Sequence, residues 1–304
     1  MTGAGSGAGP AVTQRGWSAP VSGLALALII ASSFAHASWN VLAKRAGGGP
    51  PFVWLVTGLS ACLYAPVAAT ALILSPARPG LAELPVLLVS GVLHLVYFLL
   101  LQRGYQTGDL SLVYPIARGT GPMLSTVAAV FLFGERPSSL ALVGMLMVVG
   151  SAFALAGGSV RRGGDGGALL FGVLTGVAIA SYTVWDKHAV SGLAIHPLLL
   201  EWASNAIRSA LLTPYALRRW DHVRALWSAR RKAVLGVAVL SPLSYILFLT
   251  ALRFTPVSYV APARELSILI GTLMGTRLLA EGDAARRLTA AAAMVLGVIA
   301  LAVG

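Results

Sequence analysis

The chain has 304 residues, of which 57% are apolar and only 11% charged, with a mean hydropathy of +0.81 and a formal net charge of +12. Soluble domains carry roughly 25% charged residues, so this composition excludes an ordinary soluble globule and points to an all-α integral membrane protein. The basic excess does not read as a nucleic-acid surface, because the Lys and Arg residues are scattered over loop ends without interleaved aromatics.

In chain order, a Gly-, Ala-, Ser- and Pro-rich tail over residues 1–20 is expected to be disordered. Ten apolar stretches follow, near 22–44, 51–74, 84–102, 110–133, 139–157, 168–189, 196–217, 233–252, 256–279 and 285–303. Each approaches the roughly 20 residues that cross a hydrocarbon core of about 30 Å. Arg15, the apolar run 24–30 and Ala35-His36-Ala37 also fit a cleavable signal peptide, a reading that would remove most of the first span. The longest polar link, 218–232, has room for a surface helix at most. Lys and Arg outside the spans divide fourteen to five between alternate sides, which by the positive-inside rule turns both termini away from the cytoplasm. The single cysteine, Cys62, excludes an intramolecular disulfide.

An ionisable group held in a span costs on the order of 3 kcal/mol and usually faces a cavity or a partner. In the first span His36, Trp39 and Asn40 fall at i, i+3 and i+4 on one helical face. Tyr182, Trp185 and Asp186 repeat that spacing in the sixth. Both sets suit a cavity wall, and both also suit anchoring at the headgroups. Arg118 in the fourth span and Arg264 in the ninth lie roughly 12 to 15 Å deep, shortly after Pro115 and Pro262. Either guanidinium could hold an anionic group of a solute, or be neutralised internally with Glu265 in the network. In the seventh span Glu201, Asn205 and Arg208 share a face. Glu201 and Arg208 stand about 10 Å apart along the axis, a separation expected to prevent direct pairing without help from Asn205. Glu201 is a candidate proton carrier or a headgroup residue. His94, Tyr97, Tyr245 and Tyr259 are candidate cavity residues of lower rank. Gly144, Gly150, Gly271, Gly275 and Gly297 are expected where helices approach closely.

Shifting the sequence against itself by 146 residues superposes Trp39 on Trp185, Pro51 on Pro197, Arg118 on Arg264 and Glu135 on Glu281 without a gap. One offset kept across four residue types implies a duplication, with a first five-helix unit over 21–160 and a second over 165–304. Five is odd, so the second copy enters the bilayer from the opposite face as an inverted repeat, an arrangement found in secondary transporters.

The segments SFAHASWNVLAKRAG and VYPIARGTGPMLSTVAAVFLFGERPS resemble the drug/metabolite transporter superfamily in its EamA-type branch, over essentially 22–303. Trp39-Asn40, Pro115, Glu135 and Glu281 carry the likeness, together with the ten spans and the duplication. The resemblance implies a multi-pass inner-membrane carrier, two halves around a central cavity, alternating access, and export of metabolites or toxic compounds. It raises Tyr97, Tyr114, Arg118, Tyr245, Tyr259 and Arg264 as cavity-lining residues. Two features depart from the pattern. The small multidrug branch couples to protons through a glutamate in its first helix, and this first span has no carboxylate. The family is also understood to keep its termini cytoplasmic, against the charge count.

The function expected is a secondary transporter of a small organic solute, an anion or zwitterion, and not an enzyme. Its expected substrate-binding set is Arg118, Arg264, Tyr114, Tyr97, Tyr245, Tyr259, Trp39, Trp185, His36 and Asn40, with Glu265 and Glu201 as coupling candidates. A non-transporting scaffold or receptor is the alternative, and an intramembrane enzyme a more distant one: the chain has no HExxH motif and no Asp-rich cluster. It has no Walker motif either, so ATP is not expected to drive a cycle directly. No cofactor or metal is expected. The partners expected are membrane lipid and a small-molecule substrate, no nucleic acid, with protons or a counter-solute as coupling species, in a monomer or homodimer.

Overall fold

The computed structural model describes residues 21–46, 49–74, 80–107, 110–156, 166–274 and 284–304, and these are all-helical. The helices are α1 (Gly23–Ala46), α2 (Pro50–Leu74), α3 (Leu84–Thr107), α4 (Leu110–Phe133), α5 (Ser139–Ala156), α6 (Gly166–Lys187), α7 (Pro197–Arg218), α8 (Trp220–Phe254), α9 (Val257–Ala263), α10 (Leu266–Met274) and α11 (Ala284–Val303). A single π turn, His188–Gly192, extends α6. Residues 1–20 and 275–283, the latter with Gly275 and Glu281, lie outside the described residues.

Helix ends follow local chemistry. The Ser22 hydroxyl accepts the Ala25 N–H at 3.2 Å and the Ser138 hydroxyl accepts the Ala141 N–H at 3.0 Å, so each caps a helix start. Pro197 opens α7 at a position where a missing N–H costs nothing. Gly134, at φ +65°, supplies the left-handed residue that closes α4.

The polarity of the molecule is inverted relative to a soluble fold. Phe131, Leu132, Ile73 and Leu74 are exposed, whereas His36, His94, Arg118, Asp186, Glu201 and Arg264 are buried. Such a surface matches lipid, not water. Among the described residues, six helices are long and apolar enough to cross a membrane: Gly23–Ala43, Pro50–Leu74, Leu84–Gly104, Ile116–Phe133, Leu169–Gly192 and Trp220–Phe254. The others are shorter, like α5 and α11, or interrupted by charge, like α7 with Glu201 and Arg208.

Two expected spans take a different form. The eighth joins the polar link before it into one helix of 35 residues, bent at Arg230 (φ −133°, ψ 17°). The ninth is not continuous: it breaks at Arg264 and Glu265 between α9 and α10. Pro262 has no N–H for the Ser258 carbonyl, and the chain passes the break on tight i to i+3 bonds from Glu265 N to Pro262 O (3.0 Å) and Ile268 N to Glu265 O (2.8 Å).

Packing places α1 against α8 and α10, α4 against α6, α3 against α6 and α7, α2 against α7 and α8, and α5 against α11. The last pair crosses at Gly144 and Gly297: a Cβ on Gly144 would lie 2.6 Å from the Gly297 carbonyl oxygen, and one on Gly297 2.8 Å from that of Gly144. Gly150 does not serve this purpose, since a Cβ there would meet nothing within 4 Å. A Cβ on Gly271 would make only ordinary contact, 3.8 Å from Ala37.

Candidate functional site

The break between α9 and α10 presents two oppositely charged side chains from consecutive residues into the buried centre of the bundle. Glu265 turns to α4, where its Oε2 lies 2.8 Å from the Nε of Arg118. The Arg118 Nη2 donates to the Ser267 hydroxyl at 3.2 Å. This cation is therefore neutralised inside the protein, as the internal-network reading of Arg118 expects.

Arg264 is arranged differently. Its guanidinium carbon lies 4.3 Å from the Phe248 ring centroid and 5.2 Å from that of Tyr245, both on α8. Its Nη2 donates to His36 Nδ1 on α1 at 3.2 Å. No carboxylate lies within 4.0 Å of it among the described residues, and its buried Nε has no hydrogen-bond partner. Because His36 Nδ1 accepts, the assigned tautomer of the neutral ring carries its proton on Nε2. A small cavity beside the two arginines is lined by Ser125, Tyr182, Thr183, Phe248 and Glu265, with room for about one water molecule.

Next to the arginines lies an aromatic and acidic cluster. Asp186 of α6, fully buried, accepts from the Ser90 hydroxyl at 2.7 Å and from the Tyr245 hydroxyl at 2.5 Å, and its Oδ2 lies 3.0 Å from His94 Nε2. His94 stacks on Tyr182 at 4.1 Å, and Tyr97 meets Tyr182 edge-on at 5.5 Å. Sequence reasoning placed Asp186 with Tyr182 and Trp185 on one face of the sixth span, as a cavity wall or a headgroup anchor. Its partners come from α3 and α8, and no local spacing announces them.

On α7 the guanidinium of Arg208 reaches Glu201 directly, Nη2 to Oε1 at 3.3 Å, while the Asn205 amide donates to the same oxygen at 2.6 Å. The expected two-turn separation is bridged because long helical side chains lean toward the N-terminus, which brings Arg208 back over Glu201. Glu201 is buried within the protein.

Other expected site residues lie elsewhere or are engaged locally. The Asn40 amide donates to the His36 carbonyl of its own helix at 2.7 Å. Trp39 meets the His36 ring edge-on at 4.9 Å, and its buried Nε1 has no hydrogen-bond partner. The Trp185 indole donates to the Val86 carbonyl at 3.0 Å. The Tyr259 hydroxyl sits at the end of α11, 3.4 Å from the Gly304 carbonyl, and accepts from Ser138 N, away from the arginines. The side chain of Tyr114 lies outside the described residues.

Two further charged residues hold helix ends. The Glu135 carboxylate accepts the N–H groups of Val257 (2.7 Å) and Ser258 (2.9 Å), so it caps α9 from the far end of α4. The Lys187 ammonium donates to the carbonyls of Leu252 (2.6 Å) and Thr255 (3.0 Å) where α8 ends. Sequence reasoning placed Glu135 beside a loop without a role; the buried backbone it serves is about 120 residues away.

No curated protein matches this chain. A solved crystal structure of a protein aligns with it at a TM-score of 0.67 and 16% identity, over 91% of this chain and 95% of that one, a likeness of fold alone. Residues 23–157, which include Trp39, Arg118 and Glu135, match the model of the EamA-like transporter family. Over that segment the chain is similar to the EamA-like transporter family, part of the drug/metabolite transporter superfamily.

Proposed function

We propose that the protein is a secondary transporter of a small organic solute carrying a negative group, and that Arg264 binds that group. The observation that carries this reading is the state of Arg264. Among the described residues it is a buried guanidinium with no carboxylate in contact and an unpartnered Nε, at a helix break and between two aromatic rings. A charge kept in that condition inside a membrane protein is costly unless a ligand or pathway uses it. Broken helices at mid-membrane are a recurrent setting for transporter binding sites. Arg118, Tyr97, Tyr245 and His36 complete the expected surroundings of the solute, with Phe248 as a face for its apolar part.

The packing supports an inverted repeat. Exchanging α1 to α5 for α6, α7, α8, the α9–α10 pair and α11 converts the α4–α6 contact into α10–α1, α3–α6 into α8–α1, and α2–α8 into α7–α3. The α2–α7 and α5–α11 contacts map onto themselves. All of these contacts occur, which favours two related five-helix halves over 21–160 and 165–304, ten crossings, and alternating access by movement of one half against the other. On this reading the protein works in a plasma or inner membrane.

The test is a thermal-shift screen of purified protein against organic anions and zwitterions, followed by flux of the hits into proteoliposomes. A ligand that binds the folded state raises the melting temperature. Hits that lose both the shift and the flux in Arg264→Gln support the reading; hits whose binding and flux are unchanged in that variant overturn it.

A further inference from the structure

Among the charged side chains at the centre of the bundle, Arg118, Arg208 and Arg264 do not pair off completely with Asp186, Glu201 and Glu265. Arg118 takes Glu265 and Arg208 takes Glu201, leaving Arg264 and Asp186. These two are not in contact, but they share one side chain. The Tyr245 hydroxyl donates to Asp186, and the Tyr245 ring faces the guanidinium of Arg264. The remaining partners of Asp186 are the Ser90 hydroxyl and the His94 ring.

Building on the proposed anion site at Arg264, we infer that Asp186 and His94 form a proton-binding site linked to it through Tyr245. Without a proton the carboxylate–imidazole pair has charge −1, offset at a distance by Arg264 in a medium of low effective dielectric. With one proton, held on the Asp186 carboxyl, the pair is neutral. An anion on Arg264 cancels the charge that offsets Asp186, so the pair then takes up a proton. Linkage is reciprocal, and a proton on the pair strengthens anion binding by the same factor. One solute anion and one proton occupy the protein together.

The neighbouring groups are consistent with this assignment. From α3, Tyr97 and His94 face α6, and from α6 itself Tyr182 stacks on His94. From α8 comes Tyr245, from α4 Arg118, and from the break Arg264 and Glu265. Glu201 on α7 lies close enough to feel both His94 and Asp186, but its charge is already met by Arg208. Lys187, the next residue after Asp186, is turned to the α8 carbonyls, and His188 is exposed against Trp185. Tyr259 on α9 points to the end of α11. Apart from Ser90 and Tyr245, His94 is the one group in hydrogen-bond contact with Asp186 among the described residues, and it can exchange a proton with it.

The test is infrared difference spectroscopy of the full-length protein in liposomes, with protons as the sole added ligand, between about pH 8 and about pH 5. The expected result is a protonated-carboxyl band that is lost in Asp186→Asn, altered in frequency in Tyr245→Phe, and displaced in midpoint by about one pH unit in Arg264→Gln. His94→Gln, which leaves the carboxylate in place, is expected to displace the midpoint as well. The inference is overturned if the band is absent, if it survives Asp186→Asn, or if its midpoint ignores Arg264→Gln. Solute flux without Asp186 protonation would overturn this inference and leave the transporter reading intact. Protonation linked to Arg264 with no flux of any binding solute would do the reverse.

Discussion

The guanidinium carbon of Arg264 lies over the Phe248 ring at the centre of the bundle, 4.3 Å from the ring centroid. The contact depends on a planar, weakly hydrated cation, which lysine does not provide. Arg264→Lys is therefore expected to bind the solute about tenfold more weakly despite its retained charge, and Arg264→Gln more weakly still. Titration of a screened ligand by thermal shift checks both variants.

Glu265 is the opposite case. Glu265→Gln leaves Arg118 buried without its countercharge, and breaking such a pair costs about 3–5 kcal/mol. The double variant Arg118→Met with Glu265→Met strands no charge and is expected to recover most of that loss. Melting temperatures of the single and double variants in detergent check the cycle. Equal destabilisation by the single and double variants would show that the pair matters only through packing.

Glu135→Ala is expected to destabilise the protein by about 2–4 kcal/mol, because it leaves the buried N–H groups of Val257 and Ser258 without acceptors. The damage is expected to concentrate on α9. Hydrogen exchange over 257–263, compared with that over α2, measures it.

Gly144→Val forces α5 and α11 apart, because even a Cβ at this position would lie 2.6 Å from the Gly297 carbonyl oxygen. Overpacking of this kind costs about 1–3 kcal/mol. Gly150→Ala, at a site where a Cβ meets nothing, is expected to be neutral or mildly stabilising through helix propensity. A comparison of the two melting temperatures tests whether this helix crossing is set by the small residue.

Much of the fold was legible in the chain because lipid imposes a simple rule: a segment that crosses must be apolar for about 20 residues and satisfy its own backbone. The apolar runs accordingly coincide with α1 to α7 and α11 to within a few residues. The break at Arg264 was harder to read. Pro262 signals a disturbance, but prolines at 66, 214 and 242 lie inside helices that continue. Whether a proline bends or breaks its helix depends on what the neighbouring helices offer the backbone it frees, and here Glu135 and Arg118 hold the two short pieces.

By itself the sequence determined the class of the protein, the placement of most helices, the 146-residue self-match and the small set of ionisable residues worth watching. It could do so because each is a property of local composition or of spacing along one chain. Only the tertiary structure decided which charges meet. It paired Arg118 with Glu265 and Arg208 with Glu201, and it left Arg264 stacked on Phe248 without a carboxylate. It also drew Asp186 together with Ser90, His94 and Tyr245 from two other helices. A buried charge is defined by its nearest partners, and those partners are brought in by helix packing across long separations in sequence.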